Sequence, residues 1–131
     1  MAKISFILGT RPEAIKLAPL ILHLQKEGRH EITVCSTGQH KEMLSQVLDL
    51  FHLKPDRDLK LMQVNQTLVS LNAKALECVN EYLQEEKPDL VIVQGDTTTV
   101  FAAALAAFYN KIKVAHVEAG LRTHNKYSPF P

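Results

Sequence analysis

Short apolar runs rich in β-branched residues alternate along this chain with longer segments in which apolar residues recur every three or four positions. The first pattern is typical of buried strands and the second of helices with one apolar face. The predicted strands are Lys3–Leu8, Glu31–Ser36, 59–62, 90–93 and Lys113–Val117. The predicted helices are 13–27, 41–51, Leu68–Glu86 and 98–110, with a kink expected at Pro19.

This alternation predicts an α/β domain in which a parallel, Rossmann-like sheet carries helices on both faces. The runs 90–93 and Lys113–Val117 are both interpreted as buried strands. We interpret residues 1–131 as a single domain. The segment 121–131 shows no periodicity and ends in the letters SPFP, so we expect a natural chain that continues beyond it.

Composition and charge narrow the possible classes of function. Of the 131 residues, 46% are hydrophobic, which is typical of a globular domain. The net charge is +1 with both signs interspersed, so the sequence carries no basic patch for nucleic acid or for an anionic membrane. The apolar stretch 100–109 is too short to span a bilayer, and we expect no signal peptide because the strand pattern begins almost directly after Met1. Cys35 and Cys78 are far apart and have no ligand-spaced neighbours, which predicts free thiols in a reducing cytoplasm and no metal site.

Two carboxylates follow adjacent predicted strands: Asp96 comes after 90–93 and Glu118 comes after Lys113–Val117. Ligands of open parallel sheets bind beyond the carboxyl ends of the strands, so these acids mark a candidate site. We expect them to be shielded from water, which is costly for an acid without a functional reason. The structural alternatives are that Asp96 caps the next helix and that Glu118 pairs with Arg122 or His116.

The segment GTRPE at 9–13 joins the first strand to the first helix and has the spacing of a capping box. A helix N-terminus offers free amide donors, Arg11 adds a fork for phosphate, and Lys16 is expected to add a second cation on the same side. The structural alternative is a capped helix with a solvated arginine. The chain contains neither GxGxxG nor GxxxxGK[ST], which argues against a nicotinamide-binding domain and a P-loop NTPase.

Two further turns at the same sheet edge carry polar or permissive residues. Gln39 and His40 follow the second strand and are candidates for hydrogen bonds to a sugar or ribose, although a simple turn explains them as well. Gly95 lets the backbone approach a ligand closely.

Three motifs, GTRPEAIK at 9–16, QGDT at 94–97 and HVEAGLRT at 116–123, together resemble the UDP-N-acetylglucosamine 2-epimerase family, in particular its non-hydrolysing bacterial type. The resemblance implies a two-domain fold similar to GT-B glycosyltransferases, with the active site between the domains and this chain as the N-terminal half. It implies interconversion of UDP-N-acetylglucosamine and UDP-N-acetylmannosamine without a cofactor, by elimination and re-addition of UDP. It also implies a homodimer in the full-length form, and that the fragment alone is inactive.

The resemblance further implies roles for single residues. Asp96 and Glu118 would be catalytic, as acids, bases or stabilisers of positive charge, and Arg11 would contact the diphosphate. Gln39 and His40 resemble part of a second, activating UDP-N-acetylglucosamine site. The complete predicted set of substrate-binding residues is Arg11, Lys16, Gln39, His40, Gly95 and Arg122.

Other functions share parts of this pattern. A hydrolysing epimerase or a GT-B glycosyltransferase domain would have the same fold but catalyse a different reaction. A non-catalytic module that binds nucleotide sugars would have the same binding residues. A flavodoxin-like or receiver-like domain shares the alternation of elements, but the 9–13 loop supports neither flavin nor phosphoryl chemistry. The sugar-nucleotide interpretation requires Arg11, Asp96 and Glu118 to converge on a common pocket.

Overall fold

The computed structural model describes residues 1–39, 41–118 and 120–128, whose strands and helices alternate. The strands are β1 (Lys3–Leu8), β2 (Glu31–Ser36), β3 (Arg57–Asp58), β4 (Leu90–Gln94) and β5 (Lys113–Val117). The helices are α1 (Arg11–Glu27), α2 (Lys41–Leu50), α3 (Leu68–Glu86) and α4 (Thr98–Tyr109). The strands form one parallel sheet in the order β3-β2-β1-β4-β5. The predicted α/β fold is confirmed.

The central strand β1 places apolar side chains on both faces of the sheet, as a period of two requires. Phe6 and Leu8 pack with α1 and α2 on one face, whereas Ile7 packs with α3 and α4 on the other. All three side chains are fully buried. The helices therefore cover both faces, and β4 is buried between them as the sequence predicts.

A buried hydroxyl cluster fastens α3 to the sheet. The Tyr82 hydroxyl lies 2.6 Å from Ser5 Oγ and 3.3 Å from Thr33 Oγ1, so it links the helix to both β1 and β2. Burial raises the pKa of Tyr82 to about 12. At the outer end of this contact, the Arg57 guanidinium lies 6.0 Å from the centre of the Tyr82 ring and pairs with Glu85 over 2.7 Å.

The predicted third strand, 59–62, is wrong, because the observed β3 is the pair Arg57–Asp58 opposite Cys35 and Ser36. Lys60 has φ of 54°, and a residue in this left-handed region interrupts an extended strand. The amide of Leu61 nevertheless donates to Thr37 O over 2.9 Å, and its side chain is buried. The apolar pattern thus identified a core-facing segment rather than the paired residues.

The bounds of β5 are confirmed, but its predicted burial is wrong. Val114 and Val117 are 37% and 38% exposed, because β5 is the edge strand of the described sheet and pairs there with β4 alone. Helix α1 begins at Arg11, two residues before its predicted start, and continues through Pro19 to Glu27. Among the helices described here, none is both long enough and apolar enough to cross a bilayer.

The hydroxyl cluster gives a test of the packing of α3. We expect Tyr82→Phe to lower the free energy of unfolding by about 1 to 2 kcal/mol, because it leaves the buried Ser5 hydroxyl without its partner. The double variant Tyr82→Phe with Ser5→Ala should recover part of this loss, since both polar partners are then removed. Urea unfolding measures both effects. Tyr127→Phe, at a position 98% exposed, is the matched control, and an equal effect in the two single variants would contradict the assignment.

Candidate active site

The order in which strands are added reverses between β1 and β4. The chain first adds β2 and β3 on one side of β1, and then adds β4 and β5 on its other side. The helices that follow β1 and β4, α1 and α4, pack on opposite faces of the sheet, and at such a switch point a crevice is expected at the carboxyl edge. Thr10 lies in the turn after β1 and Asp96 in the turn after β4. Glu118 follows β5, the neighbour of β4, and completes this edge.

A buried carboxylate joins the two turns. Glu13 Oε2 accepts hydrogen bonds from the Gly9 N–H over 3.2 Å, from the Thr10 N–H over 2.7 Å and from the Thr10 hydroxyl. Its other oxygen, Oε1, accepts from the Thr97 hydroxyl over 3.0 Å. The predicted capping box is therefore present from Glu13 to the Thr10 amide, and the same side chain also reaches the turn after β4.

Desolvation and hydrogen bonding act on Glu13 in opposite directions. Its side chain is only 1% exposed, and burial raises its pKa, while the four hydrogen bonds it accepts lower the pKa in part. Among the described residues, no lysine or arginine forms a salt bridge with it. Sequence reasoning gave Glu13 a capping role only. The signal that it is buried is its position on the apolar face of α1, one turn before Leu17 and two before Ile21.

A second set of bonds ties the turn after β2 to the start of α4. Thr37 Oγ1 lies 3.0 Å from Thr99 Oγ1, and the Thr99 hydroxyl donates to Gln39 Oε1 over 2.8 Å. These groups pack directly on Gly9, where an added Cβ would lie 2.2 Å from Thr37 Oγ1 and 2.4 Å from Thr99 Oγ1. Glycine at position 9 lets the turns after β1, β2 and β4 meet.

A cavity of about 360 Å³ opens beside this junction. Its charged lining residues are Glu13, Lys16, Asp96, Glu118 and Arg122, and Gly95 lies among them. Two cations in such a cavity suit an anionic ligand such as a phosphate group. Carboxylates beside them are able to donate and accept protons. The lining therefore combines side chains of the kind that bind anions with side chains of the kind that exchange protons.

A second cavity of about 490 Å³ adjoins the first and shares Asp96, Glu118 and Arg122 with it. His116 lines this second cavity, and its Nε2 lies 2.6 Å from Gly95 O. The Gly95 amide donates to Val117 O over 3.1 Å, so the turn after β4 is attached to β5 at two atoms.

The predicted site residues converge only in part. Lys16, Gly95, Asp96, Glu118 and Arg122 line the same cavity, whereas Arg11 is not among the lining residues. Five helical positions separate Arg11 from Lys16, which is a rotation of about 140° around α1, so the expectation of two cations on the same side is wrong. Gln39 bonds to Thr99 instead of lining the cavity, and His40 lies outside the described residues.

The expected shielding of the two acids is also wrong, since Asp96 and Glu118 are both exposed at the open edge beside β5. The capping alternative for Asp96 does not hold, because the N-cap of α4 is Thr97, whose hydroxyl accepts from the Val100 amide over 3.4 Å. Glu118 Oε1 accepts from the Gly120 amide over 3.3 Å. In the described ranges, no group of three or more His, Cys, Asp or Glu side chains is arranged to hold a metal ion.

Comparison with known proteins places these observations in a family. Residues 22–131 match the family model described as UDP-N-acetylglucosamine 2-epimerase. The UDP-N-acetylglucosamine 2-epimerase of Bacillus subtilis (strain 168) is 57% identical over 129 residues, which are 98% of this chain and 34% of the relative. The chain spans about a third of the length of the curated relatives it matches.

Two solved structures share the fold closely. The crystal structure of UDP-GlcNAc 2-epimerase from Neisseria meningitidis bound to UDP-GlcNAc is 55% identical with a TM-score of 0.90, covering 98% of this chain and 35% of that one. A co-structure of S. aureus MnaA with UDP is 52% identical with a TM-score of 0.91, covering 100% of this chain and 34% of that one.

The contact at Gly9 gives a test of how the turns are assembled. We expect Gly9→Ala to destabilise the chain by about 1 to 3 kcal/mol, because the new methyl group must displace the Thr37 and Thr99 hydroxyls from their bonds. The measurement is the free energy of unfolding in urea. Gly28→Ala is the control, since no described residue other than its chain neighbours comes within 4 Å of an added Cβ there, and its positive φ of 67° is the source of the expected cost. Gly9→Ala as stable as the original chain would contradict the packing described.

Proposed function

The chain belongs to the UDP-N-acetylglucosamine 2-epimerase family, and from this premise we propose that it forms the N-terminal, nucleotide-sugar-binding part of an enzyme that interconverts UDP-N-acetylglucosamine and UDP-N-acetylmannosamine. The observation that carries the proposal is the cavity that two cations, Lys16 and Arg122, line together with two carboxylates, Asp96 and Glu118. This cavity, at one edge of the sheet, is lined both by cations suited to a diphosphate and by carboxylates suited to proton transfer. Because the chain spans about a third of its relatives, the complete reaction is proposed for a longer form.

The two cations of the cavity and the ligands of two relatives support the proposed ligand class, a nucleoside diphosphate and its sugar. The Neisseria meningitidis protein binds UDP-GlcNAc and the S. aureus protein binds UDP in their structures. A diphosphate carries negative charge that Lys16 meets as a point charge and Arg122 meets with a planar fork. The N-terminus of α1 adds the partial positive charge of the helix dipole. Arg11, which begins this helix but does not line the cavity, is proposed to contact a part of the diphosphate that extends beyond the cavity.

The carboxylates suit a route through elimination. A base removes the proton at carbon 2 of the sugar while the bond from carbon 1 to the UDP oxygen breaks, and UDP leaves with the electron pair. The resulting glucal is protonated at carbon 2 from the opposite face, and UDP adds back to carbon 1. This route needs acid-base groups near carbon 2 and cations near the departing diphosphate, which are the two kinds of group in the cavity. It requires no nicotinamide.

The 131-residue chain alone is proposed to bind the nucleotide weakly and not to turn it over. Asp96 and Glu118 are exposed on one wall of an open cavity, and a site open to water weakens the electrostatic interactions that catalysis uses. The remaining two thirds of the relatives' length supplies the second wall in this proposal. The exposed aromatic residues of α4, Phe101 and Phe108, support a homodimer of the longer form, and the free thiols of Cys35 and Cys78 support a reducing cytoplasm.

Nucleotide binding by the chain itself is testable. We expect UDP titrated into the chain to shift the amide resonances of residues 10–11, 13–16 and 95–97. Lys16→Gln should raise the dissociation constant for UDP about tenfold, since a charged hydrogen bond is lost. Lys26→Gln, an exposed position in the last turn of the same helix, is the matched control and should not change it. Equal affinity in the two variants, or no resonance shift at millimolar UDP, would contradict the proposed ligand.

Catalysis is testable in a chimera in which residues 1–131 replace the matching third of the Bacillus subtilis relative. We expect this chimera to form UDP-N-acetylmannosamine from UDP-N-acetylglucosamine and, in D₂O, to place deuterium at carbon 2. Asp96→Asn and Glu118→Gln should each lower kcat about 100-fold or more, because each removes a proton-transferring group. Asp49→Asn, an exposed acid on α2, is the control. Accumulation of free UDP without the epimer would indicate a hydrolysing enzyme. Full activity in both acid variants would show that residues 1–131 bind the substrate but supply no proton-transferring group.

A further inference from the structure

The two turns that flank the cavity are 84 residues apart in the sequence and are joined by the hydrogen bond from the Thr97 hydroxyl to Glu13. We propose that Glu13 and Thr97 form a positioning pair that fixes the backbone of Asp96, from which its carboxylate extends, relative to the N-terminus of α1 and Lys16. This inference rests on the proposed function, in which Asp96 moves a proton and Lys16 meets the diphosphate. Neither Glu13 nor Thr97 transfers a proton in this arrangement.

Glu13 is the rigid member of the pair. Three donors from Gly9 and Thr10 converge on Oε2, and the side chain is buried, so its rotamer is held on every side. Oε1 remains to accept the Thr97 hydroxyl. The carboxylate is therefore bonded to both turns and holds the turn after β4 at a fixed distance from the turn after β1.

Thr97 directly follows Asp96 in the chain, so its bond to Glu13 also restrains the backbone of Asp96. The Thr97 hydroxyl donates its hydrogen to Glu13 and accepts from the Val100 amide. These two bonds fix the orientation of the Thr97 side chain. On the other side of Asp96, Gly95 is attached to β5 through Val117 O and His116. No described residue makes a hydrogen bond to the Asp96 side chain itself, so the place from which its carboxylate extends depends on the backbone that Gly95 and Thr97 hold.

A helix cap alone would not need Glu13. The matched case is Thr67, the N-cap of α3. Its hydroxyl accepts from the Ser70 amide over 3.0 Å, as Thr97 accepts from Val100, but its other bonds also go to Ser70 in the same turn. Removing either hydroxyl costs a cap. Only removal of the Thr97 hydroxyl also releases a link between two sides of the cavity.

The test compares Thr97→Val, Thr97→Ser and Thr67→Val in the Bacillus subtilis chimera. We expect Thr97→Val to lower kcat about tenfold or more, since a small displacement of a reacting group is costly, while KM changes by less than about twofold. Thr97→Ser restores the hydroxyl and should restore kcat. Thr67→Val should leave kcat unchanged and lower the melting temperature by less than Thr97→Val, because it removes a cap without leaving a buried carboxylate oxygen unpaired.

The 131-residue chain provides a second readout that does not depend on turnover. Thr97→Val should shift the amide resonances of Gly9 and Thr10, 84 or more residues away in sequence, and Thr67→Val should not. Equal kcat in Thr97→Val and Thr67→Val, or unshifted Gly9 and Thr10 resonances in Thr97→Val, would overturn the positioning role. An inactive parent chimera would instead overturn the proposed function, and the resonances would still decide whether the two turns are coupled.

Discussion

The carboxylate of Glu13 is the group on which the arrangement of this sheet edge depends. Burying a charged or polar group costs free energy unless hydrogen bonds replace its lost contacts with water, and here four bonds from Gly9, Thr10 and Thr97 do so. Those donors come from two turns that are distant in sequence. The requirement to satisfy one buried acid thus determines how the turns after β1 and β4 lie against each other, and the cavity opens where they meet.

The same edge shows why small and hydroxyl-bearing residues gather at a switch point. Gly9 lets Thr37 and Thr99 approach the chain closely, and their hydroxyls act as donor and acceptor at once, so a few of them connect three turns. Charged groups then lie outside this hydroxyl layer, where Lys16 and Arg122 remain exposed to solvent. A neutral, hydrogen-bonded layer supports a charged surface without burying unpaired cations.

Much of the fold was predictable from periodicity alone, because buried strands such as β4 and amphipathic helices such as α3 have distinct patterns. Burial in β5 was not predictable in this way, since an apolar strand looks the same in the centre of a sheet and at its edge. The short strand β3 was missed because its paired residues, Arg57 and Asp58, are polar, and pairing depends on backbone geometry rather than on side chains.

The site was partly predictable for a related reason. Strand ends identify Asp96 and Glu118, because topology alone brings the carboxyl ends of parallel strands together. The bond from Thr97 to Glu13 has no local signature, since it joins residues that only the tertiary fold makes neighbours. The position of Arg11 was mistaken because five residues do not complete a whole number of helical turns.

The edge strand β5 has a practical consequence for handling the isolated chain. One side of its backbone has no neighbouring strand in the described sheet, and Val114 and Val117 beside it are partly exposed. Such an edge is a template for strand addition by another molecule, so self-association that rises with protein concentration is a built-in liability. Dilute solutions, or lysines introduced at the two valines, would protect it in the way that natural sheets protect their margins.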